Sequence, residues 1–132
     1  MLASKYDPTL QRGGTFSIAI TSKDVNGASI DFSKYDFMNL HVRPAWVGKP
    51  GSITDAPLLA LSTETGEITL PDIHTIQIDI SATATAALTF NSGKYELEMV
   101  QNPDLLADPP IPVRIVDKLL FGIMSVTGEI LV

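Results

Sequence analysis

Hydrophobic and polar side chains alternate with a period of two along most of this chain. From Thr15 to Ser22, Phe16, Ile18 and Ile20 share one side while Thr15, Ser17, Ala19 and Thr21 share the other, the pattern of a half-buried strand. The alternation recurs in Asp36–Arg43, where Met38, Leu40 and Val42 oppose Asn39, His41 and Arg43. It recurs again in Thr75–Ile80, through Ile76, Ile78 and Ile80, and in Lys94–Val100, where Tyr95, Leu97 and Met99 oppose Lys94, Glu96 and Glu98. Shorter strands are predicted at Ala28–Phe32, Leu58–Ser62 and Glu67–Leu70. Val113–Ser125 and Gly128–Val132 are predicted as closing strands separated by Val126-Thr127.

Turn residues separate these segments. Asn26-Gly27 supplies the positive φ angles of a tight hairpin after Thr15–Ser22, and Pro44 ends the Asp36–Arg43 strand. Residues 44–57 hold three prolines and two glycines around Trp46 and read as a surface loop. Asn102–Pro112, with four prolines and two aspartates, reads as a long stiff loop between neighbouring strands, exposing Pro109 and Pro110 to a partner. Ser81–Leu88 is the one helix-like stretch, a crossover of at most two turns with Ser81 as its cap. Many short strands, this punctuation and almost no helix predict two antiparallel sheets packed face to face. Residues 1–14, polar with Pro8 and ending in Gly13-Gly14, read as an N-terminal arm that could drape over another subunit, and residues 15–132 as a single sandwich domain.

Composition narrows the choices of function. The 132 residues suit one hydrophobic core, and charged residues at 18% argue for extensive burial rather than disorder. A net charge of −6 with no basic run disfavours nucleic acid and anionic membranes as partners. The chain has no cysteine, which removes disulfides, thiolate nucleophiles and Cys-based metal sites. Met1–Pro8 lacks the apolar stretch of a secretory signal, and the longest apolar run, Leu119–Met124, is too short to span a bilayer, so synthesis and folding in a cytoplasm without membrane insertion are expected.

The order of four strings adds a resemblance. Gly14-Thr15-Phe16-Ser17-Ile18 is followed by Asp24-Val25-Asn26-Gly27-Ala28-Ser29-Ile30-Asp31-Phe32-Ser33-Lys34-Tyr35. Further on, Ile76–Leu88 leads into Gly93-Lys94-Tyr95-Glu96-Leu97-Glu98. This series resembles the N-terminal domain of phage baseplate upper proteins and other small phage virion proteins, with Phe32 where that group usually has leucine. The resemblance implies an all-β, immunoglobulin-like sandwich of about seven to nine short strands with one helical crossover turn. It implies a structural protein of the virion, in tail, neck or baseplate, assembled in the host cytoplasm. The partners it implies are other virion proteins and further copies of the chain in a homo-oligomer, and it implies no chemistry. The Trp46 loop and Asn102–Pro112 lie outside the shared pattern.

Candidate chemistry is thin. His41 and His74 with Asp72, placed two residues from His74 on one strand face, are the only set with metal-ligand character, and ordinary surface histidines explain them better. Asp24-Val25-Asn26-Gly27 begins like a calcium loop, but the downstream glutamate is missing and a hairpin turn accounts for it. No Gly-x-Ser-x-Gly elbow exists, Pro50 follows Gly48-Lys49 where a phosphate loop needs Ser or Thr, and Glu96 and Glu98 fall on a solvent face. No enzyme activity, cofactor or metal is expected. Tyr95 is read as a structural tyrosine whose hydroxyl bonds to loop backbone. Trp46 and Tyr35, with Pro109 and Pro110, are the candidate contacts, Trp46 serving either a partner or the anchoring of its own loop. Two alternatives use the same sandwich: a carbohydrate- or receptor-binding module with Trp46 as stacking platform, and a capsid decoration protein.

Overall fold

A computed structural model describes residues 3–44 and 57–129, and it is a β-sandwich of two sheets. Nine strands run in chain order through the described residues. They are β1 (Ser4–Lys5), β2 (Thr9–Gln11), β3 (Phe16–Ile20), β4 (Phe37–Pro44), β5 (Leu59–Ser62), β6 (Ile68–Asp72), β7 (Thr75–Ile80), β8 (Ser92–Gln101) and β9 (Ile115–Thr127). The larger sheet runs β5, β4, β8, β9, with β1 and β2 both along the far side of β9; the smaller runs β3, β7, β6. Trp46 and its loop lie outside the described residues, as do Ile130–Val132 of the last predicted strand.

The period-two faces predicted from sequence meet between the sheets. Met38, Leu40 and Val42 of β4 and Tyr95, Leu97 and Met99 of β8 are buried against Ile76, Ile78 and Ile80 of β7. Burying such side chains contributes roughly 1.5–3 kcal/mol each. The helix α1 (Ala82–Ala86) forms with Ser81 Oγ accepting from the Ala84 amide at 3.2 Å. Its fully buried Thr85 donates to the Gly14 carbonyl at 2.7 Å and accepts from the Gly13 amide at 3.1 Å, so the crossover grips the N-terminal segment.

Several expectations change. The N-terminal segment read as an arm pairs within its own chain: Ser4 and Lys5 lie beside Leu120 and Phe121, and Thr9–Gln11 beside Ser125–Thr127, both parallel to β9. The larger sheet is therefore mixed rather than wholly antiparallel. Leu10 is 1% exposed and supplies the apolar burial that a polar-looking stretch conceals. Tyr95 Oη donates to the Tyr6 carbonyl and holds that segment from across the sheet.

Ala28–Phe32 forms no strand. A single bridge joins Lys23 to Ser29, and a 3-10 turn follows at Phe32–Lys34. In the Asp24–Gly27 turn only Gly27 has positive φ, at 83°, and Asp24 Oδ1 accepts from the amides of Asn26 and Ala28. The aspartate thus shapes the turn, with glycine taking the one left-handed position, as in a three-residue hairpin loop with a bulge. At the C-terminal end β9 runs unbroken through Val126-Thr127, because Val126 is 4% exposed and its amide is bonded to the Asn91 carbonyl.

One irregularity matters for the site below. Leu97 faces Leu120 but Glu98 faces Lys118, so Leu119 is an extra residue in β9. Such a bulge reverses the alternation beyond it. Leu119 and Asp117 thereby turn to the side of the sheet that carries Leu120 and Met124.

Candidate assembly surface

The strongest surface feature grows out of the β8–β9 connection, and its root is fixed by residues 30–37. Asp31 Oδ1 accepts from the Ser33 amide at 2.8 Å and starts the 3-10 turn; the bonds from the Ser33 hydroxyl and amide hold the Asp31 carboxyl below its ordinary pKa. Fully buried Phe32 bonds through its amide to the Ile73 carbonyl at 2.7 Å, while the Ile30 carbonyl lies 3.0 Å from His74 Nδ1. Tyr35 Oη donates to Asp117 Oδ2 at 2.7 Å, a meeting that the Leu119 bulge makes possible. Burial, then the bond to and the charge of Asp117, push the Tyr35 hydroxyl pKa well up. Asp36 bonds to both sides of the root of the connection, its amide to the Val100 carbonyl at 2.8 Å and its Oδ2 to the Asn102 amide at 2.6 Å. The Arg114 guanidinium stands 5.7 Å over the Phe37 ring.

Above this root the loop closes on itself. The amide and carbonyl of Asp104 bond reciprocally with Ile111 at 2.7 and 2.8 Å, and Asp104 Oδ1 accepts from the Leu106 amide at 3.0 Å. Asp104 thus satisfies backbone groups that would otherwise need water or a sheet partner. The enclosed residues face solvent: Leu105 is 72% and Leu106 98% exposed, and Pro109 and Pro110 are exposed beside them. Val113 at 64%, Ile115 and Val116 extend exposed apolar surface into the start of β9. A hydrogen-bonded loop that holds leucines out in water has the character of a contact site, because apolar surface gains free energy only when covered.

The sequence-predicted contacts separate in the structure. Pro109 and Pro110 sit on the exposed loop. Tyr35 is 7% exposed with its hydroxyl committed to Asp117, so it braces the loop root and has almost no ring surface left for a partner. Trp46 is outside the described residues. Leu105, Leu106 and Val113 were not among the predicted contacts, although two adjacent leucines flanked by Asp and Pro depart from the polar composition of ordinary loops.

The chemical candidates separate too. His41 is on β4, within the larger sheet, whereas His74 lies in the turn joining β6 and β7, not on a shared strand face with Asp72. Asp72 caps that turn, accepting from the His74 amide at 2.8 Å and the Thr75 hydroxyl at 3.1 Å. Among the described residues no three His, Asp or Glu side chains are grouped to hold a metal ion. Glu96 stands on the outer face, 2.9 Å from Lys118, and raises the pKa of that lysine. A small apolar gap of about 10 Å³, open to solvent, lies between the sheets beside Tyr6, Phe16, Ile18, Leu120 and Met124, with no polar groups converging on it. No described helix is long and apolar enough to cross a membrane. No protein-family model matches the chain, and no curated protein matches its sequence.

Proposed function

We propose that this chain is a structural protein of a phage particle, a tail, neck or baseplate component that acts by protein–protein contact. It docks on another virion protein through the tip of the β8–β9 loop. The observation that carries the reading is the Asp104-closed loop that presents Leu105 and Leu106 at 72% and 98% exposure. A rigid apolar anchor binds with little ordering entropy to lose, which favours a contact repeated in many copies. The ordered resemblance of Gly14–Tyr35 and Ile76–Glu98 to virion domains supplies the setting. The loop tip is apolar between Asp104 and Asp108 and carries no basic residue, which suits a partner recognised by apolar fit rather than by phosphate or membrane charge.

The test is incorporation. Particles purified from infected cells should contain the protein in stoichiometric amount, and Leu105→Asp with Leu106→Asp should abolish incorporation while the protein still folds. Absence from purified particles, or undiminished incorporation of the double variant, overturns the reading.

A further inference from the structure

The edges of the two sheets differ in how well they are protected, and the difference selects one of them. An edge strand exposes backbone donors and acceptors that a neighbour can pair, and proteins blunt such edges with charge, proline, bulges or short length. Along β9 the β1–β2 side is made of strands of only two and three residues, with Lys5 on the first and Asp7 and Pro8 in the connection between them. The remaining stretch of that side, ahead of Leu120, holds Asp117, Lys118 and the Leu119 bulge. In β6, Pro71, Asp72 and a register shift interrupt the edge. In β5, four residues long, Ser62 already accepts from the Gly66 amide and donates to Glu67 Oε1.

Strand β3 has none of these devices. No charged residue and no proline occurs from Gly13 to Ser22, and among the described residues β3 pairs only with β7. Its free backbone groups can be assigned. The Asp79 amide donates to the Glu67 carbonyl, so Asp79 turns its backbone away from β3, and Ser17, directly opposite it, turns its own backbone away from β7. Ala19 does the same by alternation. The N–H and C=O of Ser17 and Ala19 therefore point outward, with no partner among the described residues. On the inner face Phe16 and Ile18 are only half-buried and border the apolar gap between the sheets.

We infer that β3 pairs antiparallel with β3 of a second copy about a two-fold axis at Ile18, joining two three-stranded sheets into one. This rests on the assembly reading above and names a surface distinct from the loop tip. The self-pair is complementary in every respect the edge presents. Ser17 of each copy meets Ala19 of the other, making about four backbone hydrogen bonds. Phe16 meets Ile20 on the inner face, and the two apolar gaps abut across the axis. Charge favours the same occupant: copies of a chain of net charge −6 repel over most of their surface, and this edge is uncharged. The nearest acid beside the strand, Asp79 on β7, stands at least about 14 Å from its counterpart across three strand spacings. That exceeds the screening length of about 8 Å at physiological salt.

The experiment measures mass in solution and a directed cross-link. The full chain should sediment as a dimer at micromolar concentration. Ala19→Pro, which removes an outward amide and leaves the bonds to β7 intact, should weaken dimerisation at least about tenfold with the β-sheet circular dichroism retained. Ala19→Lys, which keeps the amide but sets like charges near the axis, should do the same and guards against a fold defect in the proline variant. Because the chain has no cysteine, Ile18→Cys supplies the only thiol. Opposed non-hydrogen-bonded residues sit about 4.5 Å apart at Cα, within disulfide reach. Mild oxidation should give a reducible covalent dimer, and Ala60→Cys on β5 should not. A monomeric wild type, no cross-link at Ile18→Cys, or a dimer undisturbed by both Ala19 variants overturns the inference. A Leu106→Asp protein that still dimerises yet fails to enter particles would separate this contact from the docking site.

Discussion

Arg12 Nη1 donates to the Gly128 carbonyl at 2.6 Å, joining the N-terminal segment to the end of β9. The same guanidinium, only 9% exposed, also donates to the Leu88 carbonyl at 2.9 Å, the Phe90 carbonyl at 2.7 Å and Asn91 Oδ1 at 3.0 Å. All four of these acceptors are neutral. The planar fork of donors, more than the charge, is what this site uses. Arg12→Met should leave carbonyls unpaired and lower stability by about 3 kcal/mol in urea unfolding. Arg12→Lys should recover little of the loss, since one ammonium cannot reach acceptors spread around a plane. Full recovery by lysine would show that charge alone matters here.

Alkaline pH should unfold the protein through its two buried phenols. The pKa of Tyr35 is raised by burial and Asp117, and that of Tyr95 by burial and then by Tyr6 and Asp7. A group whose folded pKa lies above its unfolded one contributes stability that is complete below the unfolded value. For tyrosine that value is about 10, and the contribution is lost as pH climbs beyond it towards the folded value. Stability should therefore fall above pH about 10, with phenolate absorbance from Tyr35 and Tyr95 rising together with unfolding. Tyr35→Phe and Tyr95→Phe should each flatten this alkaline limb in denaturant titrations run across the pH range.

Gly122 controls whether the N-terminal strands can dock. Its φ is +157°, and a Cβ there would overlap the Tyr6 carbonyl and come within 2.5 Å of Asp7 Oδ1. Asp7 Oδ1 also accepts from the Ile123 amide at 2.9 Å, and Tyr6 donates to the Phe121 carbonyl at 2.9 Å. Gly122→Val should push residues 4–11 off β9, costing about 2 kcal/mol and freeing the amides of Tyr6 and Leu10 to exchange with solvent. Unchanged protection at those amides would show that the two segments can separate without loss.

What the sequence revealed and what it hid follow from the range of the interactions. Period-two alternation reports which face of a strand is buried, so β3, β4, β7 and β8 were legible, as was the Ser81-capped crossover. Leu10 defeated the same reading because one buried residue between Thr9 and Gln11 makes no pattern, and its burial depends on β9 more than a hundred residues later. Tyr35 was misread for a related reason. The sequence makes it a candidate contact, but its hydroxyl is taken by Asp117, which a bulge that no local signal marks brings into reach. Pro109 and Pro110 were legible as loop residues from composition. Leu105 and Leu106 were not, since apolar residues in a loop gain meaning only once the Asp104 closure shows that they cannot turn inward.

Leu97 and Leu106 set the two extremes against which the surface reading can be judged. Leu97 is fully buried in β8, facing Leu40 on one side and Leu120 on the other, and Leu97→Ala should cost about 2–5 kcal/mol through lost contacts and the cavity left behind. Leu106 is 98% exposed on a loop closed by Asp104, and Leu106→Asp should change stability by no more than about 0.5 kcal/mol. Thermal or urea unfolding of the pair makes the comparison directly. If Leu106→Asp destabilised the isolated protein as Leu97→Ala does, the leucine would be spending its apolar surface on the chain's own fold. The tip would then be unavailable to a partner. A silent substitution leaves that surface uncommitted, which is the condition docking requires.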